Sequence, residues 1–400
     1  MKRSNLQITL LCLAALTATS CSNENDPIDK GGNGTGNNEP VELGITAAGV
    51  SLTKSVIDGN NGAAQIGTAG NLLQEIMVLA AGESGVTDYG SGNEKAIYKY
   101  TGGNGTGSWA QNGSDHIYLT AKKATIYAYH PVYPFDANGN KESSAITLTG
   151  NVGPDATIPI TLFAGGTETS GSPATQTVNS TITDDGTSSG ILSAPGEVDY
   201  LYEGSSSRPT ASNGKTGGNG TSSVSLEMKH ALSLVSFKIY KDNSTYKGPA
   251  KLTKIVLQNK STASTKTLKT SSNATMKIGD GGITRGTESD ATFTRIIKGS
   301  GDDADKGADI KESSGARTYS ILVFPDASAV AKNEVEAVFT IDGADYTVAL
   351  AADGTGVQWT KGNNNIYGIK LSGTGLGITS VKVAAWGENN VTNGSDLDAK

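Results

Sequence analysis

The sequence predicts an all-β protein of two β-sandwich domains, and three observations carry that prediction. Apolar residues recur at every second position over short runs and almost never at helical spacing. Those runs are rich in Val, Ile, Tyr and Thr, which suit a pleated, half-buried surface. Between them stand clusters of Gly, Asn, Asp and Ser, the residues that turns require. The chain has 52 glycines in 400 residues. That composition would also suit disorder, so the alternation decides.

The first 20 residues read as a secretory signal peptide. Lys2 and Arg3 make a basic end, Leu6 to Ala18 is apolar but too short to span a bilayer, and Ala18, Thr19 and Ser20 are small. These three and Cys21 resemble the bacterial lipobox, with Ala18 where leucine is usual. Cys21 is therefore the expected lipidation site. Cys12 leaves with the signal, so the mature chain has one cysteine and no internal disulfide. The stretch "SNENDPIDK" carries Glu24, Asp26 and Asp29 and resembles the acidic export tag of surface lipoproteins. Residues 31–40, "GGNGTGNNEP", have nothing to bury, so 21–40 is expected to be a lipidated flexible tether to the outer membrane.

The remaining ~360 residues exceed what one hydrophobic core usually serves, so two domains are expected. "VELGITA" puts Val41, Leu43, Ile45 and Ala47 on one face of a strand. "LLQEIMVLAA" from Leu72 is apolar on both faces and reads as a central strand, with a short helix as the alternative. "KAIYKY", "SDHIYLT" and "KKATIYAYHPVYPF" follow, then the weaker "SAITLTG" and "IPITLFA", then "EVDYLYEG". Patterning stops at 203–223, where turn formers take over, and the boundary is placed there, giving domains 41–210 and 211–400. Next, "VSLEMKHALSLVSFKIY" puts Val224, Leu226, Met228 and His230 on one side, and "LTKIVLQN" follows. Residues from about 260 to 315 are polar and poorly patterned. "TYSILVFP", "VEAVFTIDGADYTVAL", "NIYGIKLS" and "GITSVKVAAW" close the chain, with a hairpin expected at Asp342-Gly343. Each half thus holds about seven strands, enough for a β-sandwich.

The net charge of −7 and the lack of a Lys/Arg cluster argue against nucleic acid. No apolar run after Cys21 reaches membrane-spanning length. His116, His130 and His230 lie in separate runs without metal-site spacing. "DDADKGAD" sets Asp303, Asp305 and Asp309 around Gly307 and hints at a calcium loop, but the twelfth position, which needs a bidentate acid, is Ser314. No serine stands in a Gly-x-Ser-x-Gly elbow. The glycine-rich segments lack the lysine and helix of a phosphate loop. Trp109, Trp359 and Trp386 lie in or beside strand-like runs, as sugar platforms or as packing residues. No cofactor, metal or catalytic set is expected, which favours a binding or structural protein over an enzyme.

"SDHIYLTAKKATIYAYHPVYPF" (114–135), "VDYLYEG" (198–204), "MKHALSLVSFKI" (228–239), "VFTIDGADYTVAL" (338–350) and "VQWTKGNNNIYGIKLSGTGLGITSVKVAAW" (357–386) resemble the fimbrillin family of Bacteroidetes, subunits of cell-surface fimbriae. The resemblance implies two tandem transthyretin-like β-sandwich domains, export as an outer-membrane lipoprotein, and assembly with other fimbrial subunits. A host or bacterial surface receptor is a further partner it implies. In polymerising members a protease removes an N-terminal strand, and a strand near the C-terminus of the next subunit fills the groove, so that no edge stays unpaired. On this pattern "VELGITAAGVSLTK" is the candidate removable strand. Lys54 is the only Lys or Arg between Lys30 and Lys95, which makes Lys54–Ser55 the candidate cut. Members often carry arginine there; the alternative is that Lys54 merely closes a strand. "LGITSVKVAAW" is the candidate donor: Leu376 and Ile378 share one parity, Val381, Val383 and Ala385 the other, and Trp386 follows. A bulge near Thr379 and Ser380 would bring them to one face. The expected function is a fimbrial subunit or adhesin; the alternative is a surface lipoprotein that binds glycans.

Overall fold

Runs that are apolar at every position, rather than at alternate ones, have to lie between two cores, and residues 75–81 do. The structure, a computed structural model, describes residues 40–385 apart from 53–55, 58–62, 65–72, 83–88, 90–93, 102–106, 136–140, 163–174, 185, 187–190, 195–196, 215–220, 300 and 352–355. By its contacts the chain divides into 1–37 and 38–400. The described residues contain strands, turns and two short 3-10 segments, Gly301–Lys306 and Ser313–Gly315, and no α-helix. No helix among them is long and apolar enough to cross a membrane.

The largest sheet has eight strands. Across it run Gly44–Leu52, Ser223–His230, Leu201–Glu203, Ala124–His130, Glu75–Ala81, Lys95–Thr101 and Ser108–Asn112, with Thr210–Ala211 pairing Ala124–His130 off this path. One face buries Ile76, Val78, Tyr98, Ile126, Leu226 and Met228 in a core of its own. The other face sends Met77, Leu79, Tyr127 and Tyr129 into a second core. That is why 75–81 reads as apolar throughout.

The second core lies between two further sheets. One is ordered Thr175–Thr183, Glu288–Lys298, Lys251–Asn259, Val335–Ile341, Ala344–Ala349. The other is ordered Ile191–Leu192, Arg317–Val323, Ser233–Lys241, Asn363–Ser372, Gly375–Ala385. Phe237 meets Phe339 edge-on at 5.3 Å, a geometry that ring quadrupoles favour, and lies tilted against Tyr367 at 6.0 Å. The hairpin at Asp342-Gly343 has φ of 52° and 80°, as a two-residue turn matched to strand twist requires. The Asp342 carboxylate also accepts hydrogen bonds from Tyr246 Oη at 2.6 Å and from the Ala250 and Lys251 amides.

The polar stretch 260–315 conceals the 11-residue strand Glu288–Lys298. Its inward positions are Ala291, Phe293, Arg295 and Ile297, all buried. An inward arginine breaks the apolar alternation, and its charge is neutralised at a distance by Glu197, whose Oε1 lies 2.7 Å from Arg295 Nη2. The stretch 203–223 does not separate the sheets. Thr210–Ala211 pairs with 124–125, Ser223–His230 pairs with Leu201–Glu203, and the chain crosses to the five-stranded sheet at Ala231–Leu232. Residues N-terminal to that stretch also enter the sheets of the second half. Thr157–Pro159 pairs with Thr275–Lys277, 175–183 with 290–298, and 191–192 with 318–319. Two buried carboxylates fix this strap. Asp184 accepts from Arg317 Nη2 at 2.7 Å and Tyr319 Oη at 2.9 Å. Glu197 accepts from Arg295 and from the amides of Ala194 and Leu322. Removing one partner of such a pair costs about 3–5 kcal/mol.

Two expectations follow. Cleavage within 203–223 should leave the two pieces bound to each other: they should co-elute from a sizing column in native buffer and separate only in denaturant. Pieces that elute apart in native buffer would contradict the shared sheets. The second concerns His130, which is buried beside Glu75, with Nδ1 3.0 Å from the Glu75 carbonyl. Burial lowers its pKa to about 4, against the opposing pull of that carbonyl and of the Glu75 charge. The unfolded chain takes up this proton near pH 6.5 and the folded chain only near 4. Stability therefore falls as pH drops through that window, by about 3 kcal/mol from this group. In urea melts between pH 7 and pH 4, His130→Gln should lose less stability than the parent by roughly that amount; equal losses would contradict the assignment.

Candidate functional site

Two outermost strands hold the expected removable and donor segments. The first is Gly44–Leu52, at one end of the eight-stranded sheet. It runs parallel to Ser223–His230, with Gly44 opposite Ser223, Ile45 opposite Val224 and Val50 opposite Leu226. Between Val224 and Leu226 the register shifts, so the chain makes an excursion from 46 to 49 and returns to the ladder at Val50. Just before the strand, Val41–Glu42 pairs with Tyr118–Leu119. The Leu43 and Val50 side chains are buried in the first core.

The Leu43 peptide is held at both ends. Its N–H donates to the Ile117 carbonyl at 2.9 Å. Its carbonyl accepts from Tyr98 Oη at 2.5 Å and from Gln111 Nε2 at 3.1 Å. Gln111 is itself oriented by the Ile117 amide, which donates to its Oε1 at 2.8 Å. Gln111 comes from the opposite edge strand, Ser108–Asn112, so the sheet curls until its two ends meet over Leu43. Burial, with a smaller contribution from the Glu42 charge, raises the Tyr98 pKa far above its ordinary value, so this hydroxyl stays a donor. Sequence reading missed Tyr98 and Gln111. A tyrosine in "KAIYKY" reads as packing, and nothing local marks a glutamine as bridging a sheet.

The second outermost strand is Gly375–Ala385, at one edge of the five-stranded sheet and antiparallel to Asn363–Ser372. Ile378 faces Ile369 and Ser380 faces Gly368, so Thr379 is the extra residue of a bulge. The Thr379 hydroxyl lies 3.2 Å from the Gly368 carbonyl and 3.1 Å from Tyr240 Oη. Through the bulge, Leu376, Ile378, Val381 and Val383 stand opposite Leu371, Ile369, Tyr367 and Asn365, on one face. Leu376 and Ile378 pack on the second core. Val381 and Val383 are 40% and 44% exposed; among the described residues only Ile296 is another exposed large hydrophobic. Ala385 pairs with Asn363 at the strand's end. Cys21, Lys54, Ser55 and Trp386 lie outside the described residues.

The other singled-out residues do not converge. His230 pairs with Asp199 in the interior, where burial raises the carboxyl pKa against the pull of the imidazole. His116 lies 2.9 Å from Glu42. Asp309 pairs with Lys251 at 2.9 Å, and Asp305 lies 3.6 Å from Lys298. Among the described residues no group of three or more His, Cys, Asp or Glu is placed to hold a metal ion. Trp109 and Trp359 are both buried, and Trp359 Nε1 donates to Tyr367 Oη at 3.1 Å, so neither is a sugar platform.

No curated protein matches the chain. Among solved structures it is similar to a candidate cell adhesion protein from Bacteroides uniformis, with 15% identity over 87% of this chain and 99% of that one and a TM-score of 0.47. It is also similar to a fimbrial protein from Bacteroides vulgatus, with 13% identity, 80% and 94% coverage and a TM-score of 0.42. A fimbrial assembly protein from Parabacteroides distasonis matches with 10% identity, 87% and 100% coverage and a TM-score of 0.39. The family model described as fimbrillin-like matches residues 66–386, the greater part of the sequence, and the chain belongs to that family.

Proposed function

We propose that this chain is a non-enzymatic structural subunit of a cell-surface fimbria, exported as a lipoprotein through Cys21 and polymerised by strand exchange. In this reading cleavage after Lys54 frees the segment that contains Gly44–Leu52, and Gly375–Ala385 of another copy takes its place. Membership of the fimbrillin-like family supports the fimbrial role. The observation that carries the exchange is the exposed pair Val381 and Val383 on an outermost strand. A long apolar edge invites pairing and is an aggregation hazard unless a partner covers it. The resident strand is likewise outermost, so the departure of its segment breaks the ladder to Ser223–His230 and the short one to Tyr118–Leu119, and opens the site of Leu43 and Val50. Refilling that site with Val, Ile and Leu side chains recovers roughly 1.5–3 kcal/mol for each one buried, which makes a durable joint.

Because both valines are exposed in the subunit, replacing them changes its own stability by only about 0.5 kcal/mol each. Val381→Asp with Val383→Asp should therefore leave an exported subunit with its usual melting temperature and abolish filaments in electron micrographs of the cell surface. Filaments of normal length and number from the double variant would refute the exchange.

A further inference from the structure

A tetrapeptide occurs in both outermost strands. Leu43-Gly44-Ile45-Thr46 opens the first and Leu376-Gly377-Ile378-Thr379 lies at the start of the second. At the first site all four residues are used. The Leu43 peptide is held by Ile117, Tyr98 and Gln111. The Gly44 amide donates to the Ser222 carbonyl at 2.8 Å, and a Cβ on Gly44 would fall 2.6 Å from Ser223 Oγ. Ile45 packs against the first core opposite Val224. The Thr46 hydroxyl lies 2.8 Å from that of Ser225.

At the second site the glycine has no local reason. A Cβ on Gly377 would meet nothing within 4 Å, and its φ lies outside the left-handed region. A glycine inside a strand weakens it, and it ordinarily marks the close approach of another backbone. Within the subunit no backbone comes that close to Gly377. At the place of Gly44 the close neighbour is the Ser223 side chain, its Oγ 2.6 Å from where a Cβ would lie, with the Ser222 carbonyl oxygen at 3.6 Å.

We infer that Leu376-Gly377-Ile378-Thr379 is a register key, which a second copy inserts where Leu43-Gly44-Ile45-Thr46 sits; this rests on the strand-exchange reading above. The donor strand leaves Asn363–Ser372 and the second core of its own subunit; Leu376 then takes the place of Leu43, its carbonyl on Tyr98 and Gln111 and its amide on Ile117, and Gly377 passes Ser223. Tyr98 and Gln111 are positioning residues that fix which residue of the incoming strand docks. The flanking pattern agrees. The resident strand shifts register between Ile45 and Val50 and the donor strand shifts at Thr379, so each presents apolar residues on one face on both sides of its shift. Slippage is penalised. A slip of one residue turns every side chain to the opposite face. A slip of two residues sets Thr379 against Ser223 in one direction. In the other it puts the polar Thr374 into the buried site of Leu43.

The test is Gly377→Val in the full chain. The space around Gly377 is open and valine favours strands, so the exported subunit should keep or raise its melting temperature. Its filament yield should fall at least tenfold, and adding Ser223→Gly, which removes the clashing hydroxymethyl group, should restore it. Normal filament yield from Gly377→Val, or no rescue by Ser223→Gly, would overturn the register key. A second measurement uses cysteine pairs oxidised in assembled filaments. Val224→Cys with Ile378→Cys should cross-link neighbouring copies into a ladder, and Val224→Cys with Ser380→Cys should not; the reverse would also overturn the key. If the Val381→Asp and Val383→Asp double variant polymerises, the exchange itself falls. If that variant fails to polymerise while Gly377→Val assembles normally, only the register key falls.

Discussion

A sheet edge carries a row of backbone donors and acceptors that has to be paired, covered or left to water, and that constraint organises this molecule. Each of the three large sheets has, at one side, an outermost strand laid in parallel against its neighbour. Gly44–Leu52 lies beside Ser223–His230, Thr175–Thr183 beside Glu288–Lys298, and Ile191–Leu192 beside Arg317–Val323. All three come from the first half of the chain. They differ in how they are fixed. The segment that holds 175–183 and 191–192 is tied down by Asp184 and Glu197, buried against Arg317 and Arg295. Pulling it away would strand two buried guanidinium groups. The segment 41–52 is tied by the Leu43 peptide, a two-residue ladder to Tyr118–Leu119, a second ladder to Ser223–His230 and a few apolar side chains. All of these can be supplied again by another strand of similar sequence. The contrast singles out the eight-stranded sheet as the place where exchange costs least.

Much of this was legible in the residues. The apolar run 75–81, the Asp342-Gly343 turn and the bulge at Thr379 follow from local chemistry, because period, turn residue and parity are local properties. What stayed hidden depends on distant partners. Arg295 makes an inward face look outward until Glu197 arrives from 98 positions away. The stretch 203–223 looks like a linker because it is rich in turn formers, yet Thr210–Ala211 within it is pinned to the Ala124–His130 strand. Tyr98 and Gln111 give no local sign of holding Leu43. The repeated tetrapeptide is plain to read, but its significance needs Ser223 beside Gly44 and the open space around Gly377.

Under the strand-exchange proposal, the two edges let one chain be stable alone and reactive toward its neighbours. Most large apolar side chains among the described residues are inside, and two of the three exceptions lie together on Gly375–Ala385. That strand is paired on one side to Asn363–Ser372, which keeps it ordered in the subunit, while its valines remain uncovered. The polar run after Trp386 limits how far this apolar edge extends.

Mass spectrometry of the N-terminus of subunits taken from purified filaments decides whether the edge at 223–230 is vacated before assembly. The strand-exchange account predicts chains that begin at Ser55. Filaments built throughout from chains that still begin at lipidated Cys21 would contradict removal of the resident strand.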